Sequence, residues 1–122
     1  MIEGEVVDRE ARVRLTVQGA RGQASEIEAV VDTGFTEFLT LPPSSIAALS
    51  LAWRSRDRAI LADGSECFVD VYEAEAIWDG KKQRILVAEA DADPLVGMAL
   101  LSSYELKIEV RERGKVVIKR LS

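Results

Sequence analysis

Val13, Leu15 and Val17 alternate with Arg12, Arg14, Thr16 and Gln18, and comparable period-2 stretches recur along the chain. Successive side chains of an extended strand point to opposite faces, so this pattern buries one face and solvates the other. A helix would scatter the same apolar residues around its circumference. Gly19-Ala20-Arg21-Gly22 supplies turn chemistry before a second strand, Glu26 to Val31, which runs directly into Asp32-Thr33-Gly34. A short extended piece, Phe38 to Leu41, follows.

Pro42-Pro43-Ser44-Ser45 opens a short helix, because proline suits a first helical turn, and Ile46 and Leu49 give it an apolar face. From Arg58 to Glu89 the pattern returns to strands. Asp63-Gly64 and Asp79-Gly80 are hairpin signals of the type I′ kind, which needs positive φ. Phe68 to Tyr72, Ala74 to Trp78 and Ile85 to Ala88 are the strand material around them. Pro94-Leu95-Val96-Gly97 reads as a strand end, and Met98 to Ser103 as one or two turns of helix. Leu106, Ile108 and Val110 begin a last hairpin that turns near Arg113-Gly114 and returns over Val116 to Lys119. Short strands, frequent turns and one or two short helices predict an all-β, barrel-like fold, with residues 1–122 forming a single domain.

Composition removes whole classes of chemistry. The chain has no histidine, which excludes Ser-His-Asp and Cys-His nucleophiles, histidine general bases and histidine-ligated zinc. Its one cysteine, Cys67, permits neither an internal disulfide nor a Cys-X-X-Cys pair, and reads as a small buried hydrophobe of a protein from a reducing, cytoplasmic compartment. No metal or other cofactor is expected. A net charge of −5 argues against a nucleic-acid partner. The one basic cluster, Arg54, Arg56 and Arg58, places three cations on one strand face and reads as a solvated edge. No membrane contact is expected, since no apolar run approaches the roughly 20 residues of a spanning helix and the N-terminus lacks a secretory signal. Glu89, Asp91 and Asp93 lack the glycine and distal glutamate of a calcium loop. Trp53 and Trp78 read as core or interface anchors.

The remaining chemistry belongs to carboxylates, and one carboxylate stands out by its setting. Asp-Thr-Gly alone arises by chance in on the order of a few per cent of chains this long. Here it ends an apolar strand (Ile27, Ala29, Val30, Val31), which puts Asp32 at the mouth of a tight turn, where partial desolvation raises a carboxylate pKa and keeps a proton available. Thr33 offers a hydroxyl to brace the loop, and Gly34 admits backbone conformations that other residues resist.

Ala29-Val30-Val31-Asp32-Thr33-Gly34-Phe35, followed by Pro94-Leu95-Val96-Gly97-Met98-Ala99-Leu100-Leu101, resembles the two motifs of retropepsin-like aspartic proteases, above all the prokaryotic members with Asp-Thr-Gly-Phe. The resemblance spans Arg12 to Lys119. It implies a retropepsin-like (acid-protease) fold in which Asp32 is the catalytic carboxylate and Thr33 and Gly34 support its loop. It further implies that Leu95, Val96 and Gly97 back that loop and that Ala62, Asp63 and Gly64 form the tip of a substrate-covering flap. With one such motif per chain, the second carboxylate of the proton-sharing pair would come from a homodimer, with Thr33 bonding across the two-fold axis and Leu106 to Leu121 supplying a strand that pairs with its mate. The implied activity is an aspartic endopeptidase acting on an extended peptide or protein substrate. The alternative is a non-catalytic dimerisation or peptide-binding module of the same fold. Phe35 and Ala99 depart from the family pattern. A phenylalanine at 35 cannot hydrogen-bond the aspartate as a hydroxyl residue does, which points to a pair active nearer neutral pH, and its bulk is expected to narrow a substrate pocket.

Overall fold

The computed structural model describes residues 1–122 as ten strands and two short helices. In order these are β1 (Ile2–Val7), β2 (Glu10–Gln18), β3 (Ala24–Val31), β4 (Leu39–Leu41), α1 (Pro43–Ala48), β5 (Ala52–Ile60), β6 (Glu66–Trp78), β7 (Lys81–Glu89), β8 (Leu95–Val96), α2 (Met98–Leu101), β9 (Tyr104–Ile108) and β10 (Lys115–Arg120). The all-β expectation holds, and α1 starts on its prolines as read.

Six of the strands close on themselves. The sheet runs β5-β6-β7-β4-β8-β3-β2-β1-β10-β9, and β6 also pairs with β2, so β6, β7, β4, β8, β3 and β2 form a ring. Within it β3 runs parallel to β8 and β4 parallel to β7, while β4 and β8 are antiparallel. The ring encloses one apolar core. Val13, Leu15 and Val17 point inward from β2, Ile27 and Ala29 from β3, Leu39 and Leu41 from β4, and Trp78 and Val87 from β6 and β7, all buried. The alternation that defined β2 in sequence is the alternation of its burial, and Arg12 and Arg14 use the outer face to reach Glu28 and Glu26 of β3.

Several local expectations change. β5 begins at Ala52, six residues before the strand pattern became readable, and β6 is one 13-residue strand that runs through Glu73 instead of two. A register shift between Trp53 and Ser55 removes Arg54 from the alternation, so the three arginines do not share one face. Each is engaged locally: Arg54 pairs with Glu73 at 2.9 Å, Arg58 with Glu66 at 3.5 Å, and Arg56 lies over the Phe68 ring at 5.2 Å. Trp78 is the core anchor expected of it, whereas Trp53 is 59% exposed and donates to Asp70. Cys67 is half-buried.

Asp79 and Gly80 both have positive φ, as a type I′ turn requires. At Asp63-Gly64 only the glycine does, and bonds Gly64 N to Leu61 O (2.9 Å) and Leu61 N to Ser65 O (2.8 Å) define a longer loop. Asp63 accepts from the Ser65 N–H and hydroxyl, a local bond that favours a turn with negative φ at the aspartate.

The last hairpin is also placed differently. β10 lies between β1 and β9, paired antiparallel with both, so both its edges are filled within the chain. It is therefore not free to pair with a two-fold mate; of the stretch from Leu106 to Leu121, only the outer edge of β9 is open.

Candidate active site

Asp32 follows the last residue of β3, where the parallel neighbour β8 also ends. The two strand ends are bonded past the ladder: Val30 N donates to Pro94 O (2.9 Å) and Asp32 N to Val96 O (2.9 Å). The chain then turns back. Gly34 N donates to Asp32 Oδ1 at 2.9 Å, and Phe35 N to Asp32 O at 3.1 Å. Side chain and main chain of one aspartate thus shape the turn, as short polar residues do in Asx turns. The carboxylate is half-buried, while Thr33 and Gly34 are exposed, and the Thr33 hydroxyl has no hydrogen bond within the chain.

The far limb of the turn is held by the second motif. Gly97 N donates to Phe38 O (3.0 Å), Met98 N to Phe35 O (2.7 Å) and Ala99 N to Glu37 O (3.2 Å). The start of α2 offers backbone donors that its own helix leaves unpaired, and the carbonyls of residues 35–38 accept them. Gly97 is buried and has no room for a side chain. A β-carbon there would lie 2.2 Å from Glu37 O, 2.7 Å from Phe35 O and 2.5 Å from Phe35 Cδ2. The Phe35 ring therefore rests on Gly97, a contact that the sequence alone does not announce. Beneath the clamp, the buried hydroxyl of Thr40 accepts the Leu95 N–H at 2.9 Å, and Leu39, Val96 and Leu100 fill the core. Thr40 was not singled out from sequence. Its signal was a lone threonine between two leucines of a strand buried on both faces.

Of the residues singled out in sequence, the structure brings Asp32, Thr33 and Gly34 together with Leu95, Val96 and Gly97. Ala62, Asp63 and Gly64 stand apart, at the exposed tip of the β5–β6 hairpin, with no hydrogen bond or ion pair to the Asp32 loop. Asp63 is held below the usual carboxylate range, first by the Ser65 hydroxyl and then by the Ser65 N–H. Tyr72, where the hairpin enters the barrel, is pushed up by burial and by Glu89, whose carboxylate accepts its hydroxyl at 3.4 Å. A cavity of about 270 Å³ opens elsewhere, between Gln18, Phe38, Arg54, Glu73, Arg84 and Leu86, and no residue from Asp32 to Phe35 lines it. No helix is long and apolar enough to cross a membrane.

No protein-family model matches the chain, and no curated protein matches it. Solved structures do. EIAV protease, complexed with the inhibitor HBY-793, superposes with a TM-score of 0.58 at 12% identity, covering 78% of this chain and 88% of that one. A retropepsin-like aspartic protease from Rickettsia conorii superposes with a TM-score of 0.54 at 17% identity, covering 93% and 90%. With 57% of its residues in strands, two short helices and a closed ring of strands, the chain has the retropepsin-like fold.

Proposed function

We propose that the chain, one domain over residues 1–122, is an aspartic endopeptidase whose active site is completed by a second copy. The observation that carries this reading is the clamp on the Asp32 loop: a half-buried carboxylate fixed by its own turn and by five backbone bonds between residues 30–38 and 94–99. A turn aspartate that merely capped a loop would need no such support from a distant segment.

One carboxylate is half of the required chemistry. Two aspartates share a proton so that one draws a proton from water while the other protonates the scissile carbonyl oxygen. The water oxygen bonds to the carbonyl carbon to give a gem-diol; the carboxyl that took the water's proton then protonates the amide nitrogen while the other carboxylate takes a proton from a diol hydroxyl, so the C–N bond breaks and the amine leaves. With one Asp-Thr-Gly in 122 residues, the partner is Asp32 of a second chain on a two-fold axis, and the exposed Thr33 hydroxyl is free to bond across it. Ala62, Asp63 and Gly64 cover an extended peptide or protein segment that joins the sheet by backbone hydrogen bonds. The reaction uses no cofactor, and the lone Cys67 suits a reducing, cytoplasmic setting.

The second reading, a non-catalytic dimerisation or peptide-binding module, draws on one observation: within the chain the Asp32 carboxylate has a single hydrogen-bond donor, Gly34 N, and Phe35 adds none. A mixed peptide library incubated with micromolar protein over about pH 4 to 7 separates the two, with cuts identified by mass spectrometry. Internal cuts that vanish in Asp32→Asn are the expected result. Cuts that persist in the variant, or a folded protein that makes none, would overturn the protease reading.

A further inference from the structure

β5 lies at one end of the ten-stranded sheet and has a neighbour on one side only, β6. Their ladder closes at the tip where Leu61 N donates to Ser65 O at 2.8 Å, and its register runs on through Ala59 opposite Cys67 and Asp57 opposite Val69. Antiparallel bonding alternates, so Ala59 and Asp57 turn their N–H and C=O groups toward β6. Those of Arg56, Arg58 and Ile60 therefore point to the open side. None of these three finds a backbone partner in a turn or loop. The edge they form runs straight into the loop of Ala62, Asp63 and Gly64.

The side chains decide what can join this edge. Arg56, Arg58 and Ile60 share one face of the hairpin, with Asp70, Phe68 and Glu66 opposite them on β6, and Asp57 lies on the other face. Ile60 and Phe68 are exposed apolar groups. Asp70 stands opposite Arg56 but accepts the Trp53 indole N–H at 3.2 Å. Arg56 closes no ion pair, and its guanidinium lies over the Phe68 ring. An arginine held on an aromatic face keeps its N–H fork free for a carboxylate. Arg58 reaches Glu66 only at 3.5 Å, between side chains that are both more than half exposed, a pair that a better-placed carboxylate displaces at little cost. Glu66 and Asp70 stand on β6, one strand further from the open edge. Two cations in a row on an edge repel a second copy of that edge and admit a strand of opposite sign. A strand added antiparallel sets alternate residues opposite Ile60, Arg58 and Arg56, and the one between the last two opposite Asp57.

We propose that β5 takes up an extended acidic peptide segment as an added antiparallel strand. Acidic side chains at alternate positions meet Arg58 and Arg56, and an apolar one two residues before the first meets Ile60. The residue between the acids faces Asp57 and is not acidic. Backbone bonds hold any strand at such an edge; the arginines select this one. That the segment is a substrate rests on the protease reading above, for which it names the substrate class; that it binds does not.

Fluorescence anisotropy at low salt with the Asp32→Asn chain, so that bound peptide stays whole, tests it. A short labelled peptide with valine and two glutamates at alternate positions, threonine between them, should bind about tenfold tighter than an isomer with the glutamates adjacent. R56E/R58E should lose that preference and favour the peptide with lysines in place of the glutamates; circular dichroism checks that both variants fold. N-methylation of the two glutamates, whose N–H groups face β5, should abolish binding, and N-methylation of the threonine between them should not. Equal binding of the two isomers, an unchanged preference in R56E/R58E, indifference to the place of the methyl groups, or no binding would overturn the proposal. The two readings fail separately. A peptide bound in this way but left uncut by the native chain removes the protease and keeps the binding edge. Cuts by a native chain that shows no acidic preference in binding or cleavage do the opposite.

Discussion

The same local device occurs twice in this molecule with opposite surroundings. Asp32 accepts the N–H of Gly34 and Asp63 accepts the N–H of Ser65, each at 2.9 Å from a residue two further on. Around Asp32 the turn is held from outside, by Val96, Gly97, Met98 and Ala99, on a bed of fully buried Leu39 and Val96. Around Asp63 every residue from Leu61 to Glu66 is exposed, and no residue of β5 is buried. An Asx turn by itself thus says nothing of role. A turn clamped by distant backbone can hold a reacting group in place, whereas a turn bonded only to itself sits at the end of the structure most easily opened.

The sharpest way to break this contrast is to remove each carboxylate. Asp32→Asn is expected to reduce peptide cleavage by about a thousandfold or more while the chain stays folded. Asp63→Asn should change turnover by no more than about tenfold, because the tip touches no reacting atom. Equal losses in the two variants would erase the distinction.

Next comes the clamp. Gly97→Ala drives a methyl group into the Glu37 and Phe35 carbonyls and the Phe35 ring. It should cost about 2–4 kcal/mol in urea unfolding, since the obstruction is largely backbone. Thr40→Val leaves the Leu95 N–H without its acceptor and should cost about 1–3 kcal/mol. On the hairpin, Phe68→Ala removes a 61% exposed ring and its contact with Arg56, and should cost less than about 1 kcal/mol.

The smallest effect concerns pH at the hairpin tip. The Ser65 bonds hold Asp63 below its ordinary value, so their contribution is complete above the unfolded aspartate pKa and is lost as pH falls through the lower folded one. Hydrogen exchange at Ser65 and Gly64, corrected for intrinsic rates, should lose protection in that acidic window in the native chain. In Asp63→Asn the protection should be flat with pH. A native profile as flat as the variant's would remove Asp63 as the tip's acid-sensitive contact.

Which of these elements could be read in advance follows from how local their causes are. The alternation of Val13, Leu15 and Val17 announces both β2 and its buried face, Pro42-Pro43 announces the start of α1, and Asp79-Gly80 announces its turn. β5 was half hidden because Trp53 and its bulge break the alternation that would have marked it, and the exposed strand offers no apolar period. β1 went unread for a related reason: Ile2 to Val7 has one buried residue, Val6, and its strand character comes from pairing with β2 and β10. For the candidate site, the two motifs were legible and the family resemblance implied that the second backs the first, but the atoms that make the contact were not legible. Nothing local says that the Phe35 ring lies on Gly97, or that the Leu95 N–H finds Thr40 from 55 residues away.

The sequence by itself determined the absence of histidine chemistry, the mostly-β class and the carboxylate on which the proposed reaction turns, because each depends on residue type or on a period of two. Tertiary structure alone decided which Asx turn is clamped, which strands close the ring, and that β10 is spent within the chain while β9 keeps an open edge. Pairing partners and register are set by contacts between residues far apart in sequence, and no local pattern encodes the choice among edges of equal alternation.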